Sequence, residues 1–509
     1  MTKSKNKKRV KKLKQNLYKY HRTLGIITII PVIFWCLSGL MHPVMAHWFR
    51  PNIGHEKLES KAIDTTQIKV SLYSILEKNK IERIKNFRLV TFDAATFHQI
   101  KTTKDGEVLY FNTITGTELK NGDQLYAEWL SRYFLEDQKS AIVSSTVLTE
   151  FDGQYKYINR YLPVWKINFD RKDDMDVYVE TTSSKLATYN PRSRQFQIWV
   201  FDTFHNWNFL ESITNKTLQI TVMLLLLGII GFSAVSGIVI YGFFWKVFKK
   251  SPVTDDRSKF RKHHRKIGIA VSFVTLTFVF SGAFHATKKL EPYTLDKMIY
   301  APDYKTTDLL ALSTFAKPEA DWENYSLIQF QNKTYLQVRL LPNEEGEVHN
   351  KYINCQTGIE DKTIEKDYAV FLAEKFAKMR SAGTGENPAD CCDVTSTTSC
   401  IKNAKLIETK NLYDFDNREY GFVYKRLPVI KLSYDTADKT VLYIEPSTSR
   451  LAAFVTNGDR IEGYSFAILH KFLFMDWAGK NIRDLVMALA ALGVLTVSLL
   501  GLYLFIKRR

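Results

Sequence analysis

Four stretches of this 509-residue chain contain no Asp, Glu, Lys or Arg: Leu24–Met41, Thr217–Trp245, Ile267–Thr287 and Leu485–Ile506. Each is close to the ~20 apolar residues that a helix needs to cross a bilayer, so a wholly soluble protein is excluded. Acidic residues are also missing from residues 1–22, which hold ten Lys/Arg. Residues 246–266 hold nine Lys/Arg against two Asp, and Lys507, Arg508 and Arg509 close the chain. These three stretches sum to +20 within a net charge of +18, which leaves −2 for everything else. The basic excess therefore flanks apolar segments, as in cytoplasmic loops, and no basic face remains for nucleic acid. A glycine-rich phosphate cradle is absent, and cysteine is sparse at five.

What is present fits a multi-pass membrane protein of the cytoplasmic (inner) membrane, with both termini cytoplasmic. The fold class expected is membrane α plus α+β: four transmembrane helices in two parallel helix–ectodomain–helix repeats. A basic cytoplasmic tail spans 1–22, the first membrane helix 23–48, a first extracytoplasmic domain 49–212 and the second helix 213–246. A basic loop spans 247–263, the third helix 264–288, a second extracytoplasmic domain 289–481 and the fourth helix 482–507. "VMA" near residue 45 could end a cleaved signal peptide. The long basic region argues for a retained helix, and so does the likeness of the first segment to the third.

That likeness is extensive. "HRTLGIITIIPVIFWCLSGLMH" runs from His21 to His42, and "HRKIGIAVSFVTLTFVFSGAFH" from His264 to His285. Gly25 answers Gly268, and Ser38-Gly39 answers Ser281-Gly282, 243 residues on. "YFNTITG" from Tyr110 answers "YINCQTG" from Tyr352 at a spacing of 242, each followed by a helical pattern. "YLPVWKINFD" with "VYVETTSSKLA" answers "RLPVIKLSYD" with "LYIEPSTSRLA" at 265. The jump in spacing places an insertion in the second copy at about 377–420. Alternating polarity in "VWKINFD" and "VIKLSYD" predicts antiparallel strands. A parallel repeat puts a pseudo-two-fold axis along the membrane normal, which sets equivalent residues at equal depth.

Six of the eleven histidines form three repeat-related pairs: His21 with His264, His42 with His285, and His205 with His470. The 21 residues between His21 and His42 span about 31 Å as a helix, the thickness of a bilayer core. Facing imidazoles at one depth are suitable axial ligands for haem iron, and with both axial positions filled the iron transfers electrons rather than binding oxygen. Two depths imply two haems, one near each face. No C-x-x-C-H occurs, so haem b is expected rather than a covalent c-type group. Zinc would want short local spacings, which these histidines lack. On the outer side His42, His285, His205 and His470 are four candidates for one haem, and the sequence leaves the choice open.

Together, the two H-x-x-x-G…S-G helices, the paired strand modules and the His205 and His470 segments resemble the PepSY-associated transmembrane family, over about residues 17–507. That family includes iron-regulated membrane proteins and ferric-siderophore reductases. The resemblance implies four helices, bound haem, PepSY-like domains in the periplasm and outward electron flow that releases iron from its chelator. It marks His21, His264, His42, His285, His205 and His470 as the matching positions. Some relatives carry a flavin or nicotinamide domain. Here the loop is about twenty residues, so the donor would be a separate cytoplasmic reductase or a membrane quinol.

Cys36 lies in the first apolar segment. Cys355, Cys391, Cys392 and Cys400 would be outside, where disulfides are the default; reduced, they could hold a soft metal such as Cu(I). The acceptor implied by the resemblance is a ferric siderophore, with another periplasmic acceptor as an alternative. Two rival functions stand beside the haem reductase: a non-enzymatic, membrane-anchored PepSY binding or sensor protein, and a transporter. The apolar segments show no mid-membrane Asp or Glu of the kind a transporter uses. Pro31 is expected to kink the first helix.

Overall fold

The computed structural model describes residues 2–44, 51–104, 106–250, 252–290, 294–309, 318–383, 401, 404–415 and 419–507. The chain divides into two compact units. One comprises Met1–Pro51, Ser193–Pro292 and Gly458–Arg509; the other comprises Asn52–Arg192 and Tyr293–Asn457.

The first unit is helical: α1 (Thr2–Ile27), α2 (Ile29–Pro43), α3 (Lys216–Lys250), α4 (Asp256–Lys288) and α5 (Lys480–Ile506). Among the described residues three helices are long and apolar enough to cross a membrane, at Lys216–Lys246, Asp256–Lys288 and Lys480–Ile506. Gln15–Ile27 and Ile29–Pro43 pass the same test as a pair bent by 54°. The bend has the cause expected of it: Pro31 has no N–H to offer the Ile27 carbonyl, and its ring crowds that turn. Helix α1 packs on α3, α3 on α4, α4 on α5 and α5 on α2, which closes a ring.

Several expected boundaries shift. The basic stretch 1–22, expected as a tail, continues α1 as helix. The first segment, expected as one helix over 23–48, breaks at Thr28, and its residues 45–50 lie outside the described residues. The third helix starts at Asp256 rather than 264, because Asp255 and Ser258 close a reciprocal capping box there. Residues 193–212 and 458–481, expected within the ectodomains, belong to the helical unit. They hold the short helices Arg192–Phe204, Asn208–Ile213 and Asn457–Ser465.

The second unit carries fifteen described strands: β1 (Arg83–Phe92), β2 (Ala95–Thr102), β3 (Val108–Asn112), β4 (Ile142–Leu148), β5 (Val164–Phe169), β6 (Asp176–Glu180), β7 (Lys185–Asn190), β8 (Tyr304–Lys305), β9 (Trp322–Phe330), β10 (Lys333–Leu340), β11 (Asn350–Asn354), β12 (Leu406–Leu412), β13 (Val429–Tyr434), β14 (Val441–Glu445) and β15 (Arg450–Val455). They form four antiparallel sheets, ordered β3-β2-β1-β8, β11-β10-β9, β4-β5-β6-β7 and β12-β13-β14-β15. The last two match in register: Lys166 faces Tyr178 as Lys431 faces Tyr443, and each slips twice, at Ile142/Ser144 and Tyr178/Val179 in one and at Leu406/Glu408 and Tyr443/Ile444 in the other.

The two helices expected after the "TG" turns are Gly122–Leu135 and Ile364–Gly383. Each sinks one stripe into the core: Tyr126, Ala127, Leu130 and Phe134 in one, Tyr368, Ala369, Leu372 and Phe376 in the other. The stripe repeats at positions i, i+1, i+4 and i+8, one face of a 3.6-residue helix. Gly116 and Gly358 turn the preceding strands with φ of +68° and +69°.

The two stretches expected as separate domains are one unit. Strand β8 joins the sheet of β1, and a single apolar core unites Leu76, Phe87 and Ile100 with Trp322, Leu327 and Val338. Strands β1 and β9 are laced by side chains. Asn86 accepts from Leu327 N at 2.9 Å and donates to Leu327 O at 3.3 Å. Asn324 likewise accepts from Leu89 N at 3.1 Å and donates to Leu89 O at 2.8 Å.

Candidate paired-imidazole site

His21 on α1 and His264 on α4 face each other, with ring centres 6.5 Å apart and planes at 63°. His21 Nδ1 lies 3.0 Å from the Ser233 carbonyl and 3.1 Å from Ser236 Oγ, both on α3. His264 Nδ1 lies 3.1 Å from the Val497 carbonyl on α5. A carbonyl only accepts, so in both neutral rings Nδ1 carries the proton and Nε2 the lone pair. Metal-bound histidines are oriented in this way, by a second hydrogen bond that fixes the tautomer. Room for the rings comes from glycine: a Cβ at Gly237 would stand 3.1 Å from His21 Cε1, and one at Gly501 3.5 Å from His264 Cε1.

Two imidazoles sharing one ion, each at about 2 Å from the metal, hold their ring centres roughly 6 Å apart. The 6.5 Å span of His21 and His264 fits that requirement. Among the described residues no three His, Cys, Asp or Glu side chains are grouped to hold a bare metal ion. A pair of imidazoles matches instead a metal whose other positions a macrocycle fills, and haem is such a group.

The other four histidines gather at the far ends of α2 and α4. His205 Nδ1 is 3.2 Å from Ser38 Oγ, and His470 Nδ1 is 3.1 Å from Ser281 Oγ. Each serine hydroxyl already donates to the carbonyl four residues back, Phe34 at 2.6 Å and Thr277 at 2.7 Å. It therefore accepts from the imidazole, and Nε2 again keeps the lone pair. His285 Nδ1 donates to Glu462 Oε1 at 2.7 Å. Phe201 is stacked on His205 at 4.5 Å and stands 6.2 Å from His42. Phe466 is likewise stacked on His470 at 4.7 Å and on His285 at 4.4 Å. His205 lies within electrostatic reach of both His470 and His42. A Cβ added at Gly39 would stand 3.8 Å from His205 Cε1, and one at Gly282 4.0 Å from His470 Cε1.

All six expected histidines thus fall into two groups, one pair and one cluster of four. Sequence reasoning missed Ser233, Ser236, Gly237 and Gly501, which orient and clear the inner pair, and Glu462, which orients His285. Phe201 and Phe466 were within reach, since each sits four residues before its histidine at the 265-residue spacing.

Two cysteines lie among the described residues. Cys36 is half-buried in α2. Cys355 is a free thiol, 1 % exposed in the core of the other unit, and burial pushes its pKa up to about 12. Its expected partners Cys391, Cys392 and Cys400 lie outside the described residues.

In the sheet-bearing unit the two halves also meet through buried charge. Arg426 contacts Glu445 at 2.8 Å and Glu180 at 3.7 Å, Lys185 contacts Glu445 at 2.9 Å, and Arg450 lies 3.9 Å from Glu180. Burial works to raise the Glu445 carboxyl, but Lys185 and Arg426 outweigh it and hold the group well below the usual range.

The model of the PepSY-associated TM region family matches residues 126–508, most of the chain. The chain therefore belongs to that family and is a membrane protein with α+β content. No curated protein matches it.

Proposed function

We propose that the chain is a haem b transmembrane oxidoreductase that passes electrons across the cytoplasmic membrane to a periplasmic acceptor, a ferric siderophore. The observation that carries this reading is the inner pair: two repeat-related imidazoles 6.5 Å apart, each with Nδ1 committed to a carbonyl on a neighbouring helix. His21 and His264 would hold one haem, and a second would take its ligands from His42, His285, His205 and His470. When bound, the group supplies a reversible one-electron couple, and two imidazoles leave its iron no open coordination site. The protein's share is to fix the rings, exclude water and set the separation between the sites. In this reading α1–α2 and α3–α5 make four spans in two parallel repeats. The basic flanks lie in the cytoplasm, and the sheet-bearing unit lies in the periplasm. The electron donor is a separate reductase or a membrane quinol.

The test is optical. Full-length protein purified from haem-replete cells should show a Soret band, sharpen in its visible bands on reduction, and be reoxidised by a ferric siderophore. Protein with no Soret band after haem-supplemented expression would leave a membrane-anchored recognition module as the better account.

A further inference from the structure

Two lysines border the cluster of four histidines, and among the described residues neither has a carboxylate within 4 Å. Lys289, one residue beyond α4, donates from Nζ to Asn206 Oδ1 at 3.0 Å, beside His205. Lys471, beside His470, holds its ammonium 5.4 Å from the Phe466 ring centre. Asn206 and Lys471 are 265 residues apart, the spacing that relates His205 to His470. Lys289 therefore brings to the first half the charge that Lys471 supplies in the second, although the two occupy unrelated sequence positions. Lys289 acts electrostatically on His205, and Lys471 on His42 and His470. Asp202 and Glu211 act on Lys289, and Asp484 on Lys471, from beyond ion-pair distance. Asp202 accepts from Asn206 at 2.9 Å and Asn208 at 3.1 Å, and Asp484 lies 3.6 Å from Arg483 Nε.

Half-buried Lys289 and exposed Lys471 thus place one ammonium group on each side of the histidine cluster, and an ammonium takes an anion as its strongest partner. Protoporphyrin IX carries two carboxylates on one edge. We propose that Lys289 and Lys471 bind those two carboxylates, one from each half, and so fix the rotation of the porphyrin about its axial ligands. This rests on the haem reading above and adds the site that orients the ring. An ammonium–carboxylate contact is charge-assisted and among the stronger polar contacts.

The probes are ferric protoporphyrin IX and its dimethyl ester, which is uncharged at that edge. Each is titrated by Soret absorbance into full-length apoprotein carrying His21→Ala, to silence the inner site. This parent should bind the diacid at least tenfold more tightly than the ester. Adding Lys289→Met and Lys471→Met should abolish the preference and leave ester affinity unchanged, which also shows that the fold survives. Persistence of the tenfold preference in the lysine variant overturns the proposal, as does equal binding of both porphyrins by the parent. Failure of the otherwise wild-type protein to bind either porphyrin overturns the haem reading itself, a separate result.

Discussion

An imidazole is a useful ligand only when its second nitrogen is held, and the backbone carbonyls of Ser233 and Val497 do this for His21 and His264. The gap that admits the His21 ring is set by Gly237, where even a Cβ would come within 3.1 Å. Gly237→Val should therefore lower the content of the inner haem several-fold while leaving the helices intact, read from Soret intensity per protein against far-UV circular dichroism. A different histidine sets a pH limit. His98 on β2 is 1 % exposed, and burial pushes its pKa down to about 4, although Nε2 bonds the Val70 carbonyl at 3.2 Å. The unfolded chain takes up a proton near pH 6.5 that the folded chain refuses until about pH 4. Stability is then full above pH 6.5 and falls as pH drops through that window, by up to about 3 kcal/mol. Thermal unfolding of the full chain at pH 7, 6, 5 and 4 should show the decline, and His98→Gln should flatten it; a slope unchanged in the variant would assign the decline to other groups.

Among the elements, strands β1 and β9 are joined by two asparagine side chains rather than by a ladder. Each amide satisfies one N–H and one C=O on the opposite strand, at residues that are buried. Asn86→Ala and Asn324→Ala should each destabilise the unit by about 2 kcal/mol, because each strands two backbone groups away from water. Thermal unfolding of the variants measures this directly. Nothing local announces these residues: an asparagine in an alternating strand reads as a surface position, and its role exists only once strands from distant parts of the chain meet. The elements themselves were more legible. Pro31, the apolar run lengths and the strand alternation each encode a neighbour-to-neighbour rule, and the break at Thr28 and the strands β5 and β13 follow from them. The start of α4 at Asp256 was equally local, and the signal lay in the Asp255–Ser258 capping box.

At the scale of the molecule, repetition in sequence became interlock in space. Buried Glu180, Glu445, Arg426 and Arg450, with half-buried Lys185, join residues that the sequence spacing relates: Glu180 to Glu445 and Lys185 to Arg450 at 265. Removing one carboxylate from such a set leaves buried cations uncompensated, so Glu445→Ala should cost about 3–5 kcal/mol in thermal or denaturant unfolding. The spacing between matching motifs did not reveal that the two stretches share one core, since pairing between them leaves no periodic trace. The histidines were the reverse case: equal spacing suggested how to match them, and the structure adds the hydrogen-bond partner of each Nδ1 in His21, His264, His205 and His470. The central claim is that repeat-related imidazoles act as pairs. Haem per chain, assayed in wild type, His21→Ala, His264→Ala and the double variant, tests it most directly. The account predicts that both single variants and the double variant lose the same one haem. Loss of different amounts in the two single variants, a further loss in the double variant, or no loss in any would contradict it.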